Sequence, residues 1–449
     1  MNDRRSISHR TNRCKFSVPL LVAISVLAYC AAEPAEPGFT SLFDGKSLDG
    51  WAYVGEGPPY VAKDGVLVCP KESSGNLFSK KEYADFVLRL DYKLEPDGNN
   101  GVGIRCPFGA TDDPMAYSGM EIQILDDKAP KHAEIKPWQF NGSVYNIVPA
   151  TNGTPKIGEW NSYEITAQGR HIKVVLNDKT IVDTDLNSVR DAEVLLKHPG
   201  MFRERGRIAF LSHRDHVEFR NIRIKEISVK QGENAPPKGF VALFNGKNLD
   251  GWKGLLAKPN DNPALRAKLS RDQLAGEQAK ADERMRAHWK AENGEIVFDG
   301  GGDSLCTKKD YTDFEMLVDW KIPPRGDSGI YLRGSPQVQI WEPDSPGQFK
   351  PPDGSGGLYN NQKNPRHPLK PADHPVGEWN RFRIVMVGEK VHIFLNGELV
   401  VNDTTLENYW DRDQPIFPTG QIELQNHTSP LWFKNIYIRE IQCDKESVR

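Results

Sequence analysis

The chain has 449 residues, with 58 Lys and Arg against 61 Asp and Glu, for a formal charge of -3. That length allows two domains that each bury a core, and the balanced charge leaves no basic stripe for a nucleic-acid partner. The 39 Gly and 32 Pro, with few helix-period runs, argue against a mostly helical fold and predict short strands joined by turns.

At the N-terminus, Arg4, Arg5, Arg10, Arg13 and Lys15 precede an apolar run from Val18 to Tyr29, followed by Cys30-Ala31-Ala32. A basic start, a short apolar core and small residues at its end describe an export signal over residues 1–32, for a periplasmic, secreted or cell-surface product. Leu27-Ala28-Tyr29-Cys30 also resembles a lipoprotein box. Tyr29 stands where such boxes carry a small residue, which favours simple cleavage, and a membrane is implied only if Cys30 is lipidated. Of the remaining cysteines, Cys69, Cys106, Cys306 and Cys443 lack the CxxC spacing of a zinc site. A Cys69–Cys106 bridge and separate buried thiols are both open readings.

Self-comparison then organises the rest of the chain. Leu42-Phe43-Asp44-Gly45-Lys46 and Leu48-Asp49-Gly50-Trp51 return as Leu243-Phe244-Asn245-Gly246-Lys247 and Leu249-Asp250-Gly251-Trp252. Gly158-Glu159-Trp160-Asn161 returns as Gly377-Glu378-Trp379-Asn380, and Phe219-Arg220-Asn221-Ile222 as Phe433-Lys434-Asn435-Ile436. One domain is duplicated, over 38–228 and 238–442, with a Gly-, Asn- and Pro-bearing linker at 229–237. Period-two stretches such as Phe86–Tyr92, Ile172–Leu176 and Ile222–Ile227, with their counterparts Phe314–Trp320, Val391–Leu395 and Ile436–Ile441, predict strands. Asn396-Gly397 marks a hairpin. The fold class is all-β, two tandem sandwiches of jelly-roll type. The second carries an insertion at about 262–288, rich in Ala, Lys, Arg, Glu and Gln, that predicts a helix on a sandwich rim.

The candidate chemistry centres on Met120-Glu121-Ile122-Gln123-Ile124-Leu125-Asp126. Alternation puts Glu121 and Gln123 on one face and the isoleucines on the other, and a paired acid and amide suits sugar hydroxyls. The second repeat reads Gln337-Val338-Gln339-Ile340-Trp341-Glu342, so Gln337 replaces Glu121 and Glu342 replaces Asp126. Other polar residues also stay in register. They are Arg105 with Arg333, Tyr145-Asn146 with Tyr359-Asn360, and His213 with His427.

These motifs together resemble the 3-keto-disaccharide hydrolase family across nearly all of the chain after the signal. The carriers are the Leu-Phe-x-Gly-Lys openings, the Gly-Glu-Trp-Asn turns, the Glu121 strand and the closing Phe-Arg-Asn-Ile strand. The resemblance implies a concanavalin A-like jelly roll and cleavage of glycosides already oxidised at C3. The first repeat departs from the pattern at Leu211-Ser212-His213, where the second keeps Leu424-Gln425-Asn426-His427, and the second departs at Gln337. A more distant likeness is to laminarinase-type hydrolases, whose Glu-x-Asp-x-x-Glu spacing is met here by Glu121, Gln123 and Asp126.

A C3 ketone acidifies the C2 proton, so the site needs a base, a group for the enolate oxygen and a donor for the leaving group. Glu121 is the expected base, Arg105 or His213 the oxyanion partner, and Tyr145 the leaving-group donor. In the second repeat Arg333, Gln337, Gln339, Glu342, Tyr359, Asn360 and His427 form the equivalent set, catalytic through Glu342 or binding sugar only. A divalent cation is a candidate cofactor, with Asp126 and Asp127 as ligands. The expected partner is an oxidised disaccharide or glycoside. The alternative is a non-catalytic tandem binding module that stacks sugars on Trp51, Trp138, Trp341 or Trp410.

Overall fold

The computed structural model describes Met1 and residues 36–109, 113–228, 234–342 and 354–444; the export signal with Cys30 falls outside them. From Gly38 onward the chain forms one compact unit holding two pairs of antiparallel sheets, five strands facing eight in each repeat.

The strands follow the period-two pattern closely where only one face is covered. Phe86–Leu94 alternates buried and half-buried along its whole length, with Phe86, Leu88, Leu90, Tyr92 and Leu94 in the first core. Its counterpart Phe314–Lys321 is buried on both faces. The reason lies in the packing of the two repeats. Val385, Val387, Phe394 and Ile441 of the second repeat join the first repeat's core cluster, and Glu315 lies buried between Arg383 and Arg439. Burial alone would raise the Glu315 carboxyl, but Arg383, Arg170 and Arg439 outweigh it and hold it at about 2. Glu204 of the first repeat pairs with Arg383 of the second, so the junction is ionic as well as apolar.

The five-stranded sheet of the first repeat contains β1 (Trp51–Val54), β2 (Asn76–Tyr83), β3 (Asn99–Cys106), β4 (Met120–Leu125) and β5 (Gly206–Ser212). Their order across the sheet is β1-β2-β5-β3-β4. The second repeat reproduces it with β6 (Trp252–Gly254), β7 (Leu305–Thr307), β8 (Asp327–Leu332), β9 (Ser335–Trp341) and β10 (Glu423–Leu424), ordered β6-β7-β10-β8-β9. Register confirms the match of the copies. Val102 pairs with Ile122 and Phe210, as Ile330 pairs with Val338 and Leu424.

The insertion is helical, as its composition predicts. It forms α1 (Pro263–Arg266) and α2 (Arg271–His288). Ser270 and Gln273 cap α2 reciprocally, satisfying two donors that the helix start would leave open. The helix packs on the second repeat's edge strand, where Asp282 accepts the Gly254 amide at 3.0 Å. Cys69 and Cys106 are separate buried thiols, and burial raises both.

Candidate active site

The outward face of the first five-stranded sheet forms a groove of about 260 Å³, lined by Glu121, Gln123, Tyr145, His213, Asn99 and Tyr117 among others. Alternation on β4 brings Glu121 and Gln123 here, as expected. Glu121 crosses over Gly101 on the neighbouring strand. A Cβ at Gly101 would lie 1.9 Å from Glu121 Oε1, so only glycine leaves room for the carboxylate.

Glu121 is 3% exposed, and its Oε1 has no hydrogen-bond partner. The nearest basic group is His213 Nε2, at 3.6 Å. Burial works against a charged His213, but the Glu121 carboxylate and Asp215 outweigh it and raise the imidazole above its ordinary value. A buried acceptor without a partner is costly, and in a groove it is a place for a ligand's proton. Tyr145 is anchored through its amide to Glu121 O at 2.8 Å, and its hydroxyl accepts from Gln139 Nε2 at 3.4 Å.

Arg105 does not reach this groove, which corrects its expected role. It is 1% exposed and donates to Ala84 O, Gly169 O, Arg203 O and Asp85. Strict alternation would put Arg105 on the face of Gly101 and Gly103. Instead it adopts φ +51 beside a register shift in β5, and a bulge of this kind redirects a side chain. Arg333 repeats the arrangement at φ +54, donating to Thr312 O, Gly388 O and Asp313.

Asp126 and Glu342 also leave the expected role. Each follows its strand and accepts the backbone amide of a turn residue, Asp97 for Asp126 and Arg325 for Glu342. Both turn residues have positive φ, 63 and 59, so the acids fasten matching hairpins. Asp127 accepts the Asn141 amide at 2.7 Å, and burial lifts its carboxyl to about 6. Asn146 turns to His198 Nε2 at 3.1 Å. Among the described residues no group of three or more His, Cys, Asp or Glu stands ready for a metal ion.

Two of the expected stacking tryptophans, Trp51 and Trp341, are buried, and Trp410 is half-buried. The indoles of Trp51, Trp341 and Trp410 donate to Leu42 O, Gly354 O and Gly334 O, while Trp138 is half-buried in the segment leading to Asn141. Tyr359 packs edge-on against Trp341, with ring centroids 5.4 Å apart, and Asn360 is half-buried beside it.

The second repeat's sheet carries a different set. Gln337 Nε2 donates to Gln339 Oε1, and Gln339 Nε2 donates to Asp327 Oδ1 at 2.8 Å. His427 Nδ1 lies 3.3 Å from Asp327 Oδ2. Asp327 escaped the sequence reading because it stands in a turn-like Gly-Asp-Ser-Gly stretch; aligning it with Asn99 would have exposed it. Glu423 was also missed. It is 1% exposed and burial pushes its carboxyl up to about 8, opposed by Arg266.

The fold is thus two tandem sandwiches of jelly-roll type, the first with a buried acid facing a histidine across an open groove. The chain belongs to the family of 3-keto-alpha-glucoside-1,2-lyase-like domains, whose model matches residues 38–225 and again 239–439. A 3-keto-disaccharide hydrolase of Bacteroides thetaiotaomicron is 25% identical over 228 residues, 42% of this chain and 78% of that protein. A solved structure from Parabacteroides distasonis, of a protein assigned to the glycosyl hydrolases, is 25% identical with TM-score 0.38, covering 42% of this chain and 94% of that one. A carbohydrate-binding module of Bacillus subtilis is 15% identical with TM-score 0.27, covering 39% of this chain and 96% of that one.

Proposed function

We propose that this protein is an exported hydrolase of glycosides oxidised at C3, working by elimination and hydration in the first repeat's groove. The observation that carries this reading is the partnerless, buried Glu121 oxygen facing His213, and family membership supports the substrate class. The basic-then-apolar N-terminus supports export.

In the proposed step Glu121 removes the C2 proton next to the ketone. The C2–H electron pair first forms the C2=C3 enolate and then collapses to the C1=C2 double bond as the C1–O bond breaks, and the leaving oxygen takes a proton from Tyr145 or water. His213, held cationic more readily by Glu121, stabilises the enolate oxygen that forms at C3. The Glu121 carboxyl proton exchanges with solvent. Water then adds across C1=C2, its hydroxyl on C1 and its proton restoring the group that protonated the leaving oxygen, while Glu121 delivers its exchanged proton to C2, which restores the ketosugar and the base. The sum is hydrolysis.

The purified protein is therefore expected to cleave a 3-keto-disaccharide and leave the parent, unoxidised disaccharide intact. Equal cleavage of both, or binding of either sugar without cleavage, would overturn the reading. The second result would leave a tandem binding module.

A further inference from the structure

The two repeats differ at two aligned positions, and the differences compensate. Where the first has Asn99 and Glu121, the second has Asp327 and Gln337. An amide and an acid have exchanged strands. Register establishes the equivalence, since Asn99 pairs with Leu125 and Asp327 with Trp341, while Gly101 pairs with Gln123 and Gly329 with Gln339.

Each arrangement leaves one carboxylate beside the same histidine. Glu121 reaches His213 over Gly101, at 3.6 Å. Asp327 reaches His427 from the adjacent strand, at 3.3 Å. The amide in the other position follows suit, because Gln337 and Gln339 form a hydrogen-bonded chain that ends on Asp327 Oδ1. In the first repeat Asn99 Oδ1 has no partner. A solvated face has no reason to conserve one acid per histidine by moving it between strands; a proton-transfer site does.

The surrounding sheet is equipped for a hydroxylated ligand. Gln421, Glu423 and Gln425 alternate onto one face, are 5%, 1% and 8% exposed, and each keeps an Oε1 without a partner. Tyr331 stands across from Glu423, its hydroxyl accepting from Gln425 Nε2 at 3.3 Å. Where the second repeat has Glu423, Gln425 and Tyr331 the first has Ala209, Leu211 and Gly103, two of them packed into a small apolar cluster, and Arg207 stands in place of Gln421. Three orphan acceptors in one patch call for a ligand that brings several O–H donors.

We propose that the second repeat is a second catalytic groove in which Asp327 is the base and His427 its partner, acting on the same oxidised-glycoside class. The assignment rests on the function proposed for the first groove. Asp327 takes the C2 proton, the electron pair forms C1=C2 as C1–O breaks and the leaving oxygen takes a proton from water; the hydroxide left over adds at C1 as Asp327 gives a proton back to C2.

The experiment measures turnover of one 3-keto-disaccharide by the full chain and by Glu121→Gln, Asp327→Asn and the double variant. Each single variant is expected to retain a measurable share of turnover, and the double variant to lose at least about 100-fold. Adding Gln337→Glu to the double variant rebuilds the first repeat's arrangement in the second groove, and turnover is expected to return. His427→Gln in the Glu121→Gln background gives the same loss at a side chain 57% exposed, where folding is not at stake. If Glu121→Gln alone abolishes turnover while Asp327→Asn and His427→Gln leave it at the full value, the second groove is silent and the first groove's function stands. If the double variant still works at the full rate, the acid assignments fail in both grooves.

Discussion

The two five-stranded sheets share order and register, yet their outward faces are built from opposite materials. The first is lean, with Gly101, Gly103, Ala209 and Leu211 around one acid, Glu121. The second carries polar groups, Tyr331, Gln337, Gln339, Glu423 and Gln425, with Gln339 bonded to Asp327. A jelly roll thus tolerates wholesale exchange of a face that does not belong to the core, while the inner residues Val102, Ile122 and Ile330 stay apolar. What survives the exchange is the acid beside a histidine, and that survival is the best guide to which residues carry chemistry.

The largest effect is expected where the copies join, because it removes the frame that the comparison presupposes. Glu315→Gln leaves Arg383 and Arg439 buried without their shared carboxylate and should cost roughly 3–5 kcal/mol, read by denaturant unfolding. The native Glu315 carboxyl is held low, so its contribution is present above the ordinary carboxylate pKa and is lost as pH falls through about 2. An unchanged midpoint would mean that Arg383, which pairs with Glu204 across the repeats, does not depend on the Glu315 carboxylate.

Next in size is the glycine under the acid. Gly101→Ala brings a Cβ to 1.9 Å from Glu121 Oε1, whereas Gly329→Ala meets its closest atoms at 3.0 Å. The first should lower turnover by about 100-fold when the second groove is disabled by Asp327→Asn. Gly329→Ala, in a Glu121→Gln background, should cost far less. Equal losses would dissolve the asymmetry.

A smaller effect separates the faces by stability. Glu423 has a raised folded pKa, so the native state loses stability as pH climbs from the ordinary carboxyl range through about 8. Glu423→Gln should therefore raise the melting temperature by about 2–4 °C, more at pH 8 than at pH 5. No pH dependence in that gain would place Glu423 in water.

The smallest is a titration. Removing the carboxylate by Glu121→Gln should lower the His213 pKa, followed by NMR of the ring. In the native protein the His213–Glu121 pair contributes stability below the ordinary imidazole value and loses it as pH rises through the raised one. A His213 pKa untouched by the substitution would mean that the two groups do not interact.

Much of this was readable in the chain. Period-two strands and the internal repeat placed Glu121, Gln123, Tyr145 and His213 around one groove. The arginines misled because alternation assumes an unbroken strand, and the positive φ of Arg105 and Arg333 breaks it just where the side chain would have entered. Asp126 and Glu342 misled for a different reason. An acid just past a strand end looks the same whether it meets ligand or caps a turn, and only the Asp97 and Arg325 amides decide it. Asp327 was legible in principle, but only by reading two substitutions as one exchange.

The central claim, that Glu121 works as a C2 base, is tested most directly by running the reaction in deuterium oxide with the Asp327→Asn protein, so that only the first groove acts. Early in the reaction the released 3-ketosugar is expected to carry deuterium at C2, and the signal should vanish with turnover when Glu121→Gln is added. Product that forms at the full rate with hydrogen retained at C2 would contradict the mechanism outright.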